Sequence, residues 1–376
     1  MPLHDVGYRP WKGRLREPGY AARVIAGTGI RLAWQSRWLR RAVLFAWTPA
    51  IVFAVALFAF EKAVEDGVLA GLQSGASRSS DGLGILGTFL GDTLGGGLPA
   101  TTPQEVAVAR RLVWSRMLLA FMRAPQAVLL AVVIGLVAPP LISRDARAKA
   151  WLVYFTRPLR GWEYVLGKAA VLMVIVALIT MAPAVMLWLL GVIVSPSVWV
   201  AVVTWDLPLR IIAAGAAVAV PAVLLALAFS ALTAESRIAA FAWFATWVAC
   251  WITHAALTGA DRMAAAKPTA PAAGRTAAAT ALENPFDDEE IPAREPPRRR
   301  RGPARFQWLS WAAGLDRSID RWSWLSLYHA FGVVQAWIFG IERRPAAIIP
   351  PVISLSLVSL ASFALLVRRV VAPTRA

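Results

Sequence analysis

The chain holds a single cysteine, Cys250, so no intrachain disulfide can form. Its three histidines, His4, His254 and His329, lie far apart and show no metal-ligand spacing, so no metal site is expected. Only 16% of the 376 residues are charged, well below the quarter or so of a soluble globular protein, which argues against a large soluble domain. Acidic residues are scarcer than basic ones, 22 against 39, for a formal net charge of +17. No cluster of Asp, Glu, His or Ser gathers at one expected membrane face, as an enzyme acting on lipid-linked substrates would need.

What is present is apolar sequence in long blocks. Five runs lack Asp, Glu, Lys and Arg and are long enough to cross a bilayer: 42–60, 124–143, 211–234, 238–260 and 345–367. A sixth, Ala169 to Trp205, is too long for one helix, and Ser195-Pro196-Ser197 marks a turn within it. The span is therefore 169–194, with an external hairpin over 195–210. The expected class is an all-α integral membrane protein with six transmembrane helices. Residues 322–341 have weaker hydropathy, with Ser323, Ser326, His329 and Gln335, and are expected to be re-entrant or interfacial.

Orientation follows from Lys and Arg in short loops. Residues 1–41, 144–168 and 368–376 carry nine, six and three of them, and all three segments fall on one side of a six-span chain. That side is expected to be cytoplasmic, in a bacterial inner membrane, with both termini inside and 235–237 a tight cytoplasmic turn. The basic charge then suits anionic lipid headgroups, and nucleic-acid binding is not expected. Forty mostly polar residues precede the first run, so that run is expected to stay as an anchor.

The external loops are 61–123 and 261–344. The first has a Gly- and Ser-rich middle, Gly71 to Gly97, followed by a helix from about Thr101 to Met122. The second has an Ala-, Pro- and Arg-rich insert, 262–305, expected to be disordered, and its PPRRRRGPAR string is the one basic cluster that six spans place outside. Residues 21–41 suit a helix lying in the headgroup region, with Ile30, Trp34 and Trp38 on one stripe edged by Arg37 and Arg41. At an outer membrane boundary, Asp206 and Arg210 are placed to pair across a helix turn, as an anchor rather than a substrate contact. His254, near the outer end of the fifth span, reads as a packing residue with substrate contact as the functional alternative.

The loop from Ser143 to Lys168 is the densest signal. Ser143 or Asp145 can cap a short helix from Ala146 to about Phe155, Pro158 turns the chain at Arg157, and a new helix starts near Trp162-Glu163. GWEYVLGK (161–168) is not a phosphate loop: five residues separate its glycines, and Ala169 stands where magnesium needs Ser or Thr.

The string PLISRDARAKAWLVYFTRPLRGWEYVLGK resembles the loop between the second and third spans of ABC-2-type transporter permeases. The matching positions are Asp145, Arg157, Pro158, Leu159, Glu163, Gly167 and Lys168. The basic N-terminal helix, the ALAFSALTAESRIAA turn and the tail LLVRRVVAP agree with it, whereas the insert and the Gly-rich loop depart from it. The resemblance implies an N-terminal interfacial elbow helix and a cytoplasmic coupling helix. It also implies a separate ATP-binding cassette ATPase that binds the ATP, so no cofactor on this chain, and a second permease subunit. Coupling is then expected at Asp145, Arg147, Trp151, Arg157, Pro158, Glu163, Gly167 and Lys168. The expected function is a non-enzymatic permease subunit of an ATP-driven exporter. The alternatives are a polytopic membrane enzyme and an envelope assembly or scaffold protein.

Overall fold

The computed structural model describes residues 19–65, 103–123, 125–150, 159–266 and 321–371. The Gly-rich stretch 71–97, Thr101 and Thr102, residues 267–305 of the insert and the tail after Val371 lie outside the described residues. Among the described residues the helices are α1 Tyr20–Gln35, α2 Arg37–Glu65, α3 Pro103–Arg123, α4 Pro125–Val137, α5 Pro139–Arg147, α6 Gly161–Val194, α7 Trp199–Val203, α8 Asp206–Leu232, α9 Ser236–Ala266, α10 Leu327–Ile338 and α11 Pro345–Leu366. No strand occurs among the described residues. Six helical stretches are long and apolar enough to cross a membrane: Arg37–Lys62, Val106–Arg147, Gly161–Val194, Asp206–Leu232, Ser236–Ala264 and Pro345–Val370. The chain is an all-helical, multi-pass membrane protein.

Helix α8 is the hub, packed against α5, α6, α9, α10 and α11. Its buried positions include Ala214, Gly215, Ala219, Ala222, Ala226 and Ala228. Small side chains let helix backbones approach closely where lipid gives no hydrophobic drive for association.

Helix α1 lies along the start of α6. A Cβ on Gly167 would meet Ile25 Cβ at 2.8 Å and the Ala22 carbonyl at 3.0 Å, so only glycine permits this approach. Ser36 ends α1 and caps α2, its hydroxyl accepting the Leu39 N–H at 3.4 Å. The expected Ile30–Trp34–Trp38 stripe is therefore shared between two helices: Trp34 closes α1, and Trp38 opens α2 with 77% of its surface exposed.

The helix expected in the outer loop before Met122 is α3, and it does not stand apart from the bundle. Trp114, Met117 and Phe121 are buried against Leu57 and Phe60 of α2 and Leu187 of α6. Helices α3, α4 and α5 lie in one apolar helical stretch, Val106–Arg147, and the chain bends at Ala138, before Pro139, because proline lacks the N–H that would continue the helix.

Residues 322–341 form a 3-10 turn, Ser323–Leu325, and α10, which is about 18 Å long at 1.5 Å per residue and too short to cross a bilayer. It is buried, not surface-lying, with Phe331, Gly332, Val333, Val334 and Gln335 all inside. Its lower end is tied to the middle of α11, where Ser354 Oγ donates to the Trp324 carbonyl at 2.9 Å. Its upper end meets the first turn of α8: Arg210 Nη1 donates to the Ile338 carbonyl at 2.9 Å, a cation at a helix C-terminus. Asp206 holds that arginine, 2.7 Å away, and also accepts from Arg111 at 2.6 Å. Beyond α10, Arg344 Nε donates to Glu342 at 3.0 Å, and this charged hydrogen bond holds the Glu342 carboxyl below the usual carboxylate range.

Candidate functional site

Two regions concentrate polar chemistry. The first is the polar end formed by α5 and the root of α6. Ser143 and Asp145 do not cap a new helix at Ala146. They lie within α5, which begins at Pro139 and runs to Arg147. The reason is Ser230 on α8. Its hydroxyl accepts the orphan N–H groups of Ile142 and Ser143 at 3.1 and 3.2 Å and donates to the Pro139 carbonyl at 2.6 Å. With that end satisfied, the Ser143 hydroxyl turns back onto Pro139 at 2.6 Å. Helix α5 ends in a Schellman turn: Ala150 N–H bonds the Asp145 carbonyl at 3.0 Å, Lys149 N–H bonds Ala146 at 3.2 Å, and Lys149 adopts φ 49°. The rest of the expected short helix, 151–155, lies outside the described residues, as do Trp151, Arg157 and Pro158.

The other expected coupling residues are brought together. Asp145 Oδ2 accepts from Lys168 Nζ at 2.9 Å and from the Tyr164 hydroxyl at 2.7 Å. Lys168 also lies over the Tyr164 ring, 5.4 Å from its centroid. Glu163 is buried. Its carboxylate accepts the Arg160 N–H at 3.2 Å, capping α6, and the Gly19 N–H at 2.8 Å, fastening the start of α1. Gly167 is covered by α1. Arg147 faces outward and pairs with Glu235 at 2.6 Å across the tight α8–α9 turn, with both side chains more than half exposed. Asp145, Glu163, Gly167 and Lys168 thus brace the corner, while Arg147 and the Lys149 turn present it.

The second region lies inside the bundle and was not anticipated. A cavity of about 10 Å³ is lined by Arg123, Thr180, Trp247, Tyr328 and Gln335 among apolar neighbours, and among the described residues no carboxylate lines it. Thr180 is near the midpoint of the Gly161–Val194 span. Arg123 ends α3 at the depth of Phe53 in α2, whose ring packs edge-on against Phe121 at 5.4 Å. Arg123 is 7% exposed, and its guanidinium sits 5.9 Å from the centroid of the Tyr328 ring. It rests against Gly332, where a Cβ would strike Nε and Cζ and push the guanidinium aside. Next to it, His254 of α9 and His329 of α10 stack with centroids 3.6 Å apart and planes 18° from parallel.

Two helix irregularities converge on this cavity: a π-helical turn at Ala177–Met181 that carries Thr180, and the half-helix α10. Broken helices and π-turns at mid-membrane depth recur at binding sites. The sequence reading had Arg123 as the last residue of an outer loop, because a charge there ends an apolar run. It had His254 and His329 as separate, because 74 positions divide them. The one usable signal was the helical pattern continuing up to Met122. No protein-family model matches the chain, and no curated protein sequence matches it.

Proposed function

We propose that this chain is the permease subunit of an ATP-driven transporter of the ABC-2 type, an exporter that works with a separate ATP-binding cassette ATPase and a second permease subunit. The observation that carries the reading is the braced corner at the root of α6. Asp145, Tyr164 and Lys168 join the end of α5 to α6, and Glu163 joins both to α1. The described residues on either side of positions 151–158 are therefore fastened to a membrane-crossing helix, which supports this corner as the place where a partner's push would enter the membrane domain.

In this reading the corner faces the cytoplasm of a bacterial inner membrane, with the N-terminus and tail on the same side by the count of basic residues. Helix α1 lies in the headgroup region, where exposed Leu32 and Trp34 meet lipid tails and Arg31 and Arg40 meet phosphates. The ATPase closes on ATP and pushes the 148–160 segment. Helix α6 tilts, and the π-turn at its middle is where it gives. The coupling energy is the difference between the ATPase's contacts with the corner in its open and closed states.

The test is copurification. The chain should retain a nucleotide-binding subunit from its own host, and replacing residues 147–160 with a Gly/Ser linker should release it while the chain still folds. A chain that holds no ATPase under any nucleotide condition defeats the reading.

A further inference from the structure

We propose that the notch where α1 meets α2 is a seat for one anionic phospholipid, its phosphate between Arg31 and Arg40 and an acyl chain along the exposed face of α2. The proposal rests on α1 lying in the headgroup region, as the permease reading has it, and not on the ATPase.

The notch has a volume of about 600 Å³ and is lined by Gly27, Ile30, Arg31, Trp34, Gln35 and Arg40. Small-molecule sites hold about 300–1,000 Å³, so the notch suits a headgroup and is far larger than one ion needs. Two helices build it. Its α1 residues recur at spacings of three and four and share one face, and Arg40 stands at the start of α2. The other face of α1, with Ala22, Ile25 and Gly29, packs on α6, so the notch opens away from the bundle. A Cβ on Gly27 would meet nothing within 4 Å, which leaves the floor of the notch open.

The charge fixes the class of headgroup. The planar fork of arginine matches phosphate oxygens, and two such forks from two helices can hold one phosphodiester between them. Among the described residues no acid lines the notch. The segments outside the described residues that adjoin this end of the bundle, 1–18, 151–158 and 372–376, carry six Lys and Arg against two acids, Asp5 and Glu17, so they do not reverse its sign. A zwitterionic headgroup would set its own cation beside two guanidiniums. A glycerol headgroup instead offers hydroxyls to the Gln35 amide.

Helix α2 supplies the place for a tail. Leu44, Ile51, Val55 and Phe58 follow Arg40 by four, eleven, fifteen and eighteen residues, close to whole helical turns, so they stand on its face of the helix. All four are exposed. From Arg40 to Ile51 the helix rises about 17 Å, close to half of the roughly 30 Å hydrocarbon layer, so one acyl chain in its own leaflet matches the stripe. A cationic notch continuous with an apolar stripe selects a lipid over a soluble phosphate.

The test is native mass spectrometry of the full chain, released from detergent micelles that hold equal amounts of dioleoyl phosphatidylglycerol and dioleoyl phosphatidylcholine. A separate arm adds glycerol 1-phosphate, the headgroup without its chains. One phosphatidylglycerol should be retained with a preference of about tenfold over phosphatidylcholine, a difference worth about 1.4 kcal/mol. Glycerol 1-phosphate at the same concentration should not displace it. Arg31→Gln combined with Arg40→Gln should bring the ratio near one. Arg37→Gln combined with Arg41→Gln removes the same charge from beside the notch and should leave the ratio within about twofold of the wild type. Gly27→Leu fills the notch with both arginines in place and should lower the ratio several-fold; it sets a better helix former over open space, so folding is not at issue. Equal retention of the two lipids by the wild type overturns the proposal, as does displacement by glycerol 1-phosphate. A preference that the flanking pair abolishes as fully as the lining pair also overturns it, because a diffuse basic surface would behave that way. None of this needs the ATPase, so failure here leaves the copurification test standing, and a missing ATPase leaves the seat testable.

Discussion

Removing the Asp145 carboxylate tests whether the corner is braced as described. Asp145→Ala deletes an acceptor that takes two charged hydrogen bonds, from Lys168 at 2.9 Å and Tyr164 at 2.7 Å. Such bonds are worth about 1.5–3 kcal/mol each. The two partners of the ion pair keep 18% and 17% of their side-chain surface, so some water reaches them and the lower end applies. The single variant should therefore lose about 3 kcal/mol, and Lys168→Ala, which removes one of the two bonds, about 1.5 kcal/mol. The double variant should lose about 3 and not 4.5 kcal/mol, a coupling of about 1.5 kcal/mol. Unfolding by SDS titration in mixed micelles, followed by tryptophan fluorescence, measures all four corners of the cycle. Additive losses, with coupling under about 0.5 kcal/mol, would refute the brace, and with it the route by which a push on the loop reaches α6.

Glu163→Ala should release the start of α1, costing about 1–2 kcal/mol and raising hydrogen–deuterium exchange at residues 19–24, with α8 unaffected. Lys149→Gly should stabilise by about 0.5–1 kcal/mol in the same SDS assay, since glycine takes a positive φ without the Cβ clash. Arg147→Ala should change stability by less than about 1 kcal/mol because the Glu235 pair is exposed, so any loss of ATPase copurification with it reports docking and not folding. The Glu342–Arg344 brace should depend on pH in one direction: the folded carboxyl is held below its unfolded value of about 4.3, so its support is full above that pH and lost as pH falls through the folded value. Protection factors at 340–345, with the base-catalysed intrinsic exchange rate divided out, should fall over that window and stay flat between pH 6 and 8; protection lost towards pH 8 instead would contradict the assignment.

The membrane crossings were readable because length and lack of charge are enough to mark them, and the Asp206–Arg210 pair was readable because four residues make one helical turn. The corner was legible as a place but not as a mechanism. Asp145, Glu163, Gly167 and Lys168 stand out in the sequence as a docking surface, yet the side chains of Asp145, Glu163 and Lys168 turn inward onto one another, Tyr164 and Gly19, and Gly167 is covered by Ile25. Nothing in the local pattern reveals α1 lying across α6. Ser143 misled for a related reason: a hydroxyl before an acidic residue reads as a cap, but the cap came from Ser230, 87 positions away. The cavity was the least legible feature. Its polar residues come from α3, α6, α9 and α10, and each alone looks like an interfacial or packing side chain.

The fit between Arg123 and Gly332 also constrains how the sequence can change. A side chain at position 332 displaces the guanidinium from its place, while glycine there without the arginine leaves a gap in the core of the bundle. The two positions, more than two hundred residues apart, form one unit of inheritance. Homologous chains should show either arginine with glycine or a shorter apolar residue with a larger partner, and the mixed states should be rare. A deep alignment would register this as covariation between a residue of the second membrane-crossing stretch and the middle of α10, readable without any structure at all.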